Sequence, residues 1–348
     1  MTKSNAVTQA SKHLSLRERL FASRETKALG SVIDDGIARV ESGLADQVVF
    51  THDVADAAGR YLIDAGGKRV RPMLALLTAQ LGNGVTDEVI MASQAIEITH
   101  LASLYHDDVM DDAPLRRGVD SAHIVYGNSI AILTGDLLFA RASTLMARLG
   151  ERAIRLQAET FERLCIGQLN ETVGPKPGDD PVAHYLQVLD DKTGSLIVAA
   201  ARSGLIFSGG DLALEQPLID FGDKIGIAFQ LADDVIDLSP DAATGKQAGT
   251  DLKAGVPTLP TLYLARLAET DAAAADLAQR IQLAVDGDDD AALALLSQEL
   301  YEHPVTQATR DLARQYASEA VTALGPLPDG AVKQALTSFA DHVVSRTN

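Results

Sequence analysis

Seven consecutive stretches of this chain repeat apolar residues at three- and four-residue spacing, at 32–49, 70–81, 89–109, 130–149, 153–173, 182–207 and 218–238. Each stretch is long enough for several helical turns. Between them stand Gly66-Gly67, Gly82-Asn83-Gly84, Pro175-Lys176-Pro177-Gly178 and Gly209-Gly210, all turn formers. No sustained run of alternating β-branched residues occurs, so no central sheet is expected and the fold class is all-α. The composition agrees: 46% of residues are hydrophobic but only 4% aromatic, with no Trp, so Ala, Leu, Val and Ile carry the core. After Pro260 the chain stays helical in pattern but becomes Ala-rich and acidic, and the cluster from Asp286 to Asp290 marks a loop or helix start. No linker or repeat separates that part. We therefore expect one helical domain over 30–348, preceded by a polar, poorly ordered leader over 1–29.

Several function classes drop out. No run of apolar residues is long and unbroken enough to span a bilayer; the richest, near 196–207, is interrupted by Arg202 and Ser203. The N-terminus lacks an apolar signal core, so a soluble, cytoplasmic protein without an integral membrane segment is expected. Cys165 is the single cysteine, which excludes an internal disulfide and a multi-cysteine metal site, and it is expected to pack as a small apolar residue. With 48 acidic against 30 basic residues and a net charge of −18, binding to nucleic acid is disfavoured. A small anion can still bind where carboxylate-held metal or clustered cations reverse the local field.

Chemistry enters with HDDVMDDAPLRRG at 106–118. At 100° per residue Asp107 and Asp111 stand about 40° apart on one helix face, one turn from each other. The pattern returns as QLADDVIDL at 230–238, where Asp233 and Asp237 repeat the spacing and Gln230 joins the same side. One such cluster reads equally well as a solvated helix face. Two, both set in apolar helices, require neutralisation, because unpaired carboxylates facing a core cost many kcal/mol. Divalent cations answer that need, and paired carboxylates completed by water and phosphate oxygens suit Mg²⁺.

Cations flank both clusters. GGKRVRP at 66–72 supplies Lys68, Arg69 and Arg71; Arg116 and Arg117 follow the first acidic cluster; Lys192 and Thr193 sit in DDKTGSL, and Lys246 follows the second cluster. Guanidinium forks and ammonium groups suit diphosphate oxygens, although any one of them alone would be a surface charge. His100 falls about 20° from Asp107 on the same helix, placing it beside the acidic pair. Alone it would read as a core histidine; among these cations it reads as a donor to a second diphosphate.

GGKRVRP, HDDVMDDAPLRRG, DDKTGSL and QLADDVIDL, in this order and spacing, resemble the trans-isoprenyl diphosphate synthase (polyprenyl synthetase) family from about residue 30 onward. HLASLYHDDVMD is most similar to long-chain members, including actinobacterial ones. The resemblance implies an antiparallel helical bundle around a central cavity, a homodimer, and a Mg²⁺-dependent head-to-tail condensation of isopentenyl diphosphate with an allylic diphosphate. It implies that Asp107, Asp111 and Asp233 hold three Mg²⁺ ions, with Asp108, Asp234 and Asp237 in support. It further implies that Arg116, Lys192, Thr193, Gln230 and Lys246 bind the allylic substrate, and Lys68, Arg71, His100 and Arg117 isopentenyl diphosphate. One departure stands out: Val256 occupies the position where the family carries a lysine before TLP, and Lys253 lies elsewhere, so that contact stays unassigned.

The charges dictate the chemistry expected. Cations withdraw electron density until the allylic C–O bond ionises, the isopentenyl double bond attacks the carbocation, and a proton leaves to diphosphate, with apolar helices excluding water. Product length depends on what blocks the path before Asp107. Ala102, Ser103 and Thr99 on that flank are small, which predicts a path open to about six to ten isoprene units at roughly one unit per helical turn, with Ile96, Leu138 and Phe139 as alternative stops. A long product is compatible with release at a membrane surface. The rival readings are a farnesyl- or geranylgeranyl-length product, a class I terpene cyclase and an inactive synthase subunit. The second acidic motif, DDVID, and the lack of Trp disfavour the cyclase; the intact motifs disfavour the inactive subunit.

Overall fold

The computed structural model describes residues 16–239 and 249–346. These fall into two compact units. One comprises the chain up to Glu162 with Leu196–Ile219 and Pro326–Leu336; the other comprises Arg163–Ser195, Asp220–Gly325 and the chain from Thr337.

In the first unit the helices are α1 (Leu16–Leu20), α2 (Lys27–Gln47), α3 (Asp53–Asp64), α4 (Val70–Thr78), α5 (Asp87–Met110), α6 (Ala122–Tyr126) and α7 (Asn128–Arg148). α8 (Glu151–Val173) begins there and α10 (Ser195–Phe207) lies almost wholly within it. α5 is the centre. Thr86 caps it by accepting from the Val89 N–H at 3.2 Å, and Asp87 and Glu88 favour its positive end. It is buried on nearly all sides, as a helix apolar around its whole circumference must be. α7 packs along it, and the approach is close: a Cβ on Gly135 would stand 2.3 Å from His106 Nε2. α4 and α10 meet as tightly, because a side chain on Gly204 would collide with the Ala75 carbonyl, and Thr78 Oγ1 donates to Ala201 O at 2.9 Å.

The described chain begins in helix, at α1. Leu20 is 1% exposed and α2 starts at Lys27, because Leu20 and Leu29 bury against this unit and hold the chain from residue 16 on. Two-residue strands, Leu115–Arg116 and Val119–Asp120, pair as a hairpin after α5. α7, with mean hydropathy 1.4, is among the described residues the one helix long and apolar enough to cross a membrane; its Ala131, Thr134, Leu138, Ala142 and Leu145 are buried within the unit.

The second unit holds the end of α8, then α9 (Pro181–Leu189) and most of α11 (Glu215–Asp237). It continues with α12 (Thr250–Lys253), α13 (Leu259–Ala268), α14 (Ala272–Asp286), α15 (Asp290–Glu302), α16 (Pro304–Ala323) and the end of α17 (Ala331–Ser345). The 182–207 periodicity is not one helix. A π-turn at Asp190–Gly194 interrupts it, and Gly194 lies so close to α11 that a Cβ on Gly226 would be 2.6 Å from its Cα. Asp289 caps α15 by accepting from the Ala292 N–H, which makes the acidic cluster there a helix start. Cys165 is exposed rather than packed, because α8 turns that face outward.

Candidate functional site

In the first unit α5 ends at Met110 and Asp111 is its C-cap, with the Asp111 N–H donating to Asp107 O at 2.8 Å. The one-turn relation of Asp107 and Asp111 therefore holds, but at a helix end rather than mid-helix. The C-terminus carries the negative end of the macrodipole, so two carboxylates there raise the demand for a cation. Asp108 turns inward. It is fully buried and its Oδ1 accepts from Arg116 Nε at 2.7 Å, fastening the hairpin to α5, while its Oδ2 has no hydrogen-bond partner.

A cluster of cations shares this unit. Arg69, whose φ of 48° is left-handed, precedes α4 and pairs with Glu97 at 3.1 Å and Glu41 at 3.3 Å. Arg117 donates to the Leu62 carbonyl at 2.7 Å and to the Gly66 carbonyl, with Glu97 4.0 Å away. Arg71 Nε is buried without a hydrogen-bond partner, and burial with the Arg117 charge pushes its guanidinium down to about 10 against the pull of Glu97. Burial, then Arg71, Arg117, Arg116 and Arg69, hold His100 well below the ordinary imidazole range, so it is neutral at pH 7. Lys68 is exposed at the rim. Three arginines, Arg69, Arg71 and Arg117, act on Glu97 and leave a surplus of positive charge, and the orphaned Arg71 nitrogen fits an anion with several oxygens.

In the second unit Asp233 and Asp237 lie one turn apart at the end of α11. Asp233 Oδ1 pairs with Arg346 at 2.9 Å, and Asp237 Oδ2 accepts from the Asp251 N–H at 3.0 Å. Asp234 again turns inward: 2% exposed, it accepts from Tyr185 OH at 2.7 Å and the Leu259 N–H at 3.1 Å. Burial pushes its carboxyl up to about 7 against those two bonds. The π-turn presents Lys192, which pairs with Glu171 at 2.6 Å, and Thr193, which donates to Gln230 Oε1 at 3.4 Å. Arg163 holds that turn through Asp190 at 2.5 Å, Asp191 at 2.9 Å and Asp223 at 2.9 Å. Lys253 is engaged with Asp290 at 2.5 Å on the surface, and Lys246 lies outside the described residues.

Sequence reasoning missed Glu97, Tyr185, Arg163 and Arg346. Glu97 had a signal, since it stands one turn before His100 on α5; the other three act across long sequence separations. Ala102 and Thr99 are fully buried and Ser103 is 9% exposed on the chain-length flank of α5. Among the described residues no group of three or more Asp, Glu, His or Cys is preassembled around one point. The donors present are hard carboxylate oxygens in pairs, which fits Mg²⁺ held by one or two carboxylates with phosphate oxygens completing its shell.

Helices throughout, two carboxylate pairs at helix C-termini and clustered cations define a class of helical transferases that handle diphosphates. The polyprenyl synthetase profile matches residues 52–295, and the chain belongs to that family of prenyl-transferring enzymes. It is 42% identical over 315 residues to the nonaprenyl diphosphate synthase of Mycobacterium tuberculosis, covering 89% of this chain and 92% of that protein. It is similar in structure to a Caulobacter crescentus polyprenyl synthase complexed with calcium and isoprenyl diphosphate, with TM-score 0.83, 31% identity, and 96% and 98% of the two chains covered. A Corynebacterium glutamicum geranylgeranyl pyrophosphate synthase, also complexed with calcium and isoprenyl diphosphate, matches with TM-score 0.80 and 38% identity over 94% and 99%.

Proposed function

We propose that this enzyme condenses isopentenyl diphosphate with an allylic diphosphate, head to tail, and repeats the step to an all-trans long-chain polyprenyl diphosphate. The observation that carries this reading is the recurrence, in a polyprenyl synthetase, of one carboxylate device at two helix ends. In each, the first and fifth aspartates stand one turn apart while the middle one anchors the helix.

The allylic diphosphate is assigned to Arg116, Lys192, Thr193, Gln230 and Lys246. Isopentenyl diphosphate is assigned to Lys68, Arg71, His100 and Arg117, where neutral His100 donates one N–H. Mg²⁺, three ions held by Asp107, Asp111 and Asp233, would supply the Lewis acidity that weakens the allylic C–O bond. The cationic side chains stabilise the charge that accumulates on the departing diphosphate. As that bond breaks, the isopentenyl double bond supplies the electron pair of the new C–C bond, and the proton lost from isopentenyl C2 leaves with diphosphate. Asp108 and Asp234 keep the two helix ends in place, and the apolar walls keep water from the cation.

Similarity to the nonaprenyl synthase favours a long product. Similarity to the geranylgeranyl synthase favours the shorter alternative. Chromatography of dephosphorylated products decides, and a dominant C15 or C20 peak defeats the long-chain reading. Replacing Asp107 or Asp233 by alanine is expected to lower incorporation of isopentenyl diphosphate by at least ~100-fold, the scale of losing a key electrostatic group. Full activity in both variants would remove the mechanism.

We also propose a cytoplasmic homodimer. Ile132, Leu133 and Leu137 form an exposed apolar face on α7, with Leu133 60% exposed, and a second copy would cover it. Light scattering tests this, and a monomeric mass at working concentration would overturn it.

A further inference from the structure

The first unit contains a pocket of ≈ 240 Å³ between α7 and α8, outside the residues assigned to the diphosphates. Phe139, Ser143 and Met146 line it from α7; Ile154, Gln157 and Phe161 line it from α8. Its near end is fixed by three rings. His106, next to Asp107, lies 5.6 Å from the Phe139 ring, and Phe139 lies 4.1 Å from Phe161. Its depth is fixed by α5. Thr99, two turns before His106 and so about 10 Å along the helix, accepts a hydrogen bond from Gln157 Nε2 at 2.8 Å. Met146 lies two turns after Phe139 on α7, and Ile154 two turns before Phe161 on α8.

The walls suit a hydrocarbon except at Ser143, a small hydroxyl one turn past Phe139, and at the larger Gln157 amide. Thr99 Oγ1 donates to Ala95 O at 2.8 Å and accepts from Gln157 Nε2, which fixes the amide in one orientation. Thr99 is fully buried and Gln157 is 7% exposed. A primary amide offers two donors and two acceptor lone pairs, and a prenyl chain laid across it satisfies none of them.

We infer that Gln157, tethered by Thr99, is the residue that ends product growth in this chain. The inference rests on the reading that the chain elongates a prenyl diphosphate whose head group sits at Asp107. A growing tail passes Phe139, Phe161 and Ser143, then covers the small part of the Gln157 amide that remains open. The addition that covers the amide is disfavoured roughly tenfold or more, the scale of leaving a buried polar group without partners. The small flank of Ala102, Ser103 and Thr99 permits growth, and Gln157 stops it.

The test uses the full-length enzyme with an allylic primer, isopentenyl diphosphate and Mg²⁺, followed by chromatography of dephosphorylated products. Gln157→Leu and the more flexible Gln157→Met are both expected to move the dominant product up by about one isoprene unit or more. Their initial incorporation rates should stay within about threefold of wild type, because no contact made at the diphosphates is removed. Ile154→Phe fills the pocket beyond the amide. It should leave the wild-type product unchanged and reverse the lengthening when combined with Gln157→Leu. The inference is overturned if both Gln157 variants turn over with the wild-type product distribution, or if Ile154→Phe alone shortens the product. A wild-type enzyme that incorporates no isopentenyl diphosphate would overturn the underlying reading instead, and this inference with it.

Discussion

Replacing Arg71 by methionine should make the ligand-free protein more stable and the liganded one weaker. Arg71 is a half-buried cation whose Nε has no hydrogen-bond partner, set among Arg69, Arg117 and Arg116 with Glu97 as the buried counter-ion. Its guanidinium is pushed down to about 10 on folding, chiefly through burial. A base whose folded value is depressed carries its full cost below that value, so the whole penalty is present at pH 7. The drop corresponds to ~3 kcal/mol at 1.36 kcal/mol per unit. Arg71 retains solvent contact, and screening reduces the figure to about 1–2 kcal/mol.

Methionine keeps most of the volume and removes the charge, so the ligand-free variant should melt ~2–4 °C higher at about 2 °C per kcal/mol for a chain of this size. Loss of a charge-assisted hydrogen bond should weaken isopentenyl diphosphate by ~10- to 100-fold. Differential scanning fluorimetry with and without isopentenyl diphosphate, paired with titration calorimetry, reads both effects. A variant that melts lower without ligand and binds it as tightly as wild type would refute the idea that this cluster is held under charge strain for an anion.

Asp190 gives the pH dependence. Burial, with Asp223 and Asp191 nearby, pushes its carboxyl up to about 6 despite Arg163, so stability is lost as pH rises from about 4 through 6; Asp190→Asn should therefore gain about 1–2 kcal/mol at pH 7.5 after allowance for solvent screening. The gain should vanish near pH 4, and urea melts showing the same difference at both pH values would count against it. Arg346→Ala removes the ion pair on Asp233, one of the aspartates proposed to hold Mg²⁺. Half-maximal activity should then need about 1.5- to 5-fold less Mg²⁺, the scale of a surface pair, and an unchanged Mg²⁺ requirement would show that Asp233 does not receive the ion.

The repeat of three and four residues suffices to read α2, α4, α7, α8 and α11 from the sequence, because each buries a stripe, and the length of its apolar stretch does the same for α5, which is buried nearly all round. Asp107 with Asp111 and Asp233 with Asp237 are legible for the same reason, since their offset is a property of the helix alone. The π-turn at Asp190–Gly194 is not. It arises where Arg163 gathers three carboxylates and where Gly194 must approach Gly226, neither of which leaves a local signal. Glu97 is only weakly signalled by standing one turn before His100: in a chain with 48 acidic residues that position does not single it out until its arginines are placed around it. The anchor of Asp234 is hidden by distance, since Tyr185 reaches it across 49 positions.

The two acidic motifs then differ from ordinary charged helix faces in one physical respect. A carboxylate at a helix C-terminus opposes the macrodipole, an unfavourable arrangement of about 0.3–1 kcal/mol per charge that most helices avoid by placing Lys, Arg or His there. Here the last turns of α5 and α11 carry no basic residue and end in aspartates. Those aspartates cannot swing clear by fraying the helix end, because Arg116 holds Asp108 on one helix and Tyr185 holds Asp234 on the other. Folding therefore fixes negative charge where the backbone already concentrates it, and on α11 Arg346 offsets part of that charge through Asp233. The middle aspartate of each motif, which touches no substrate in this account, is what keeps that charge from relaxing away.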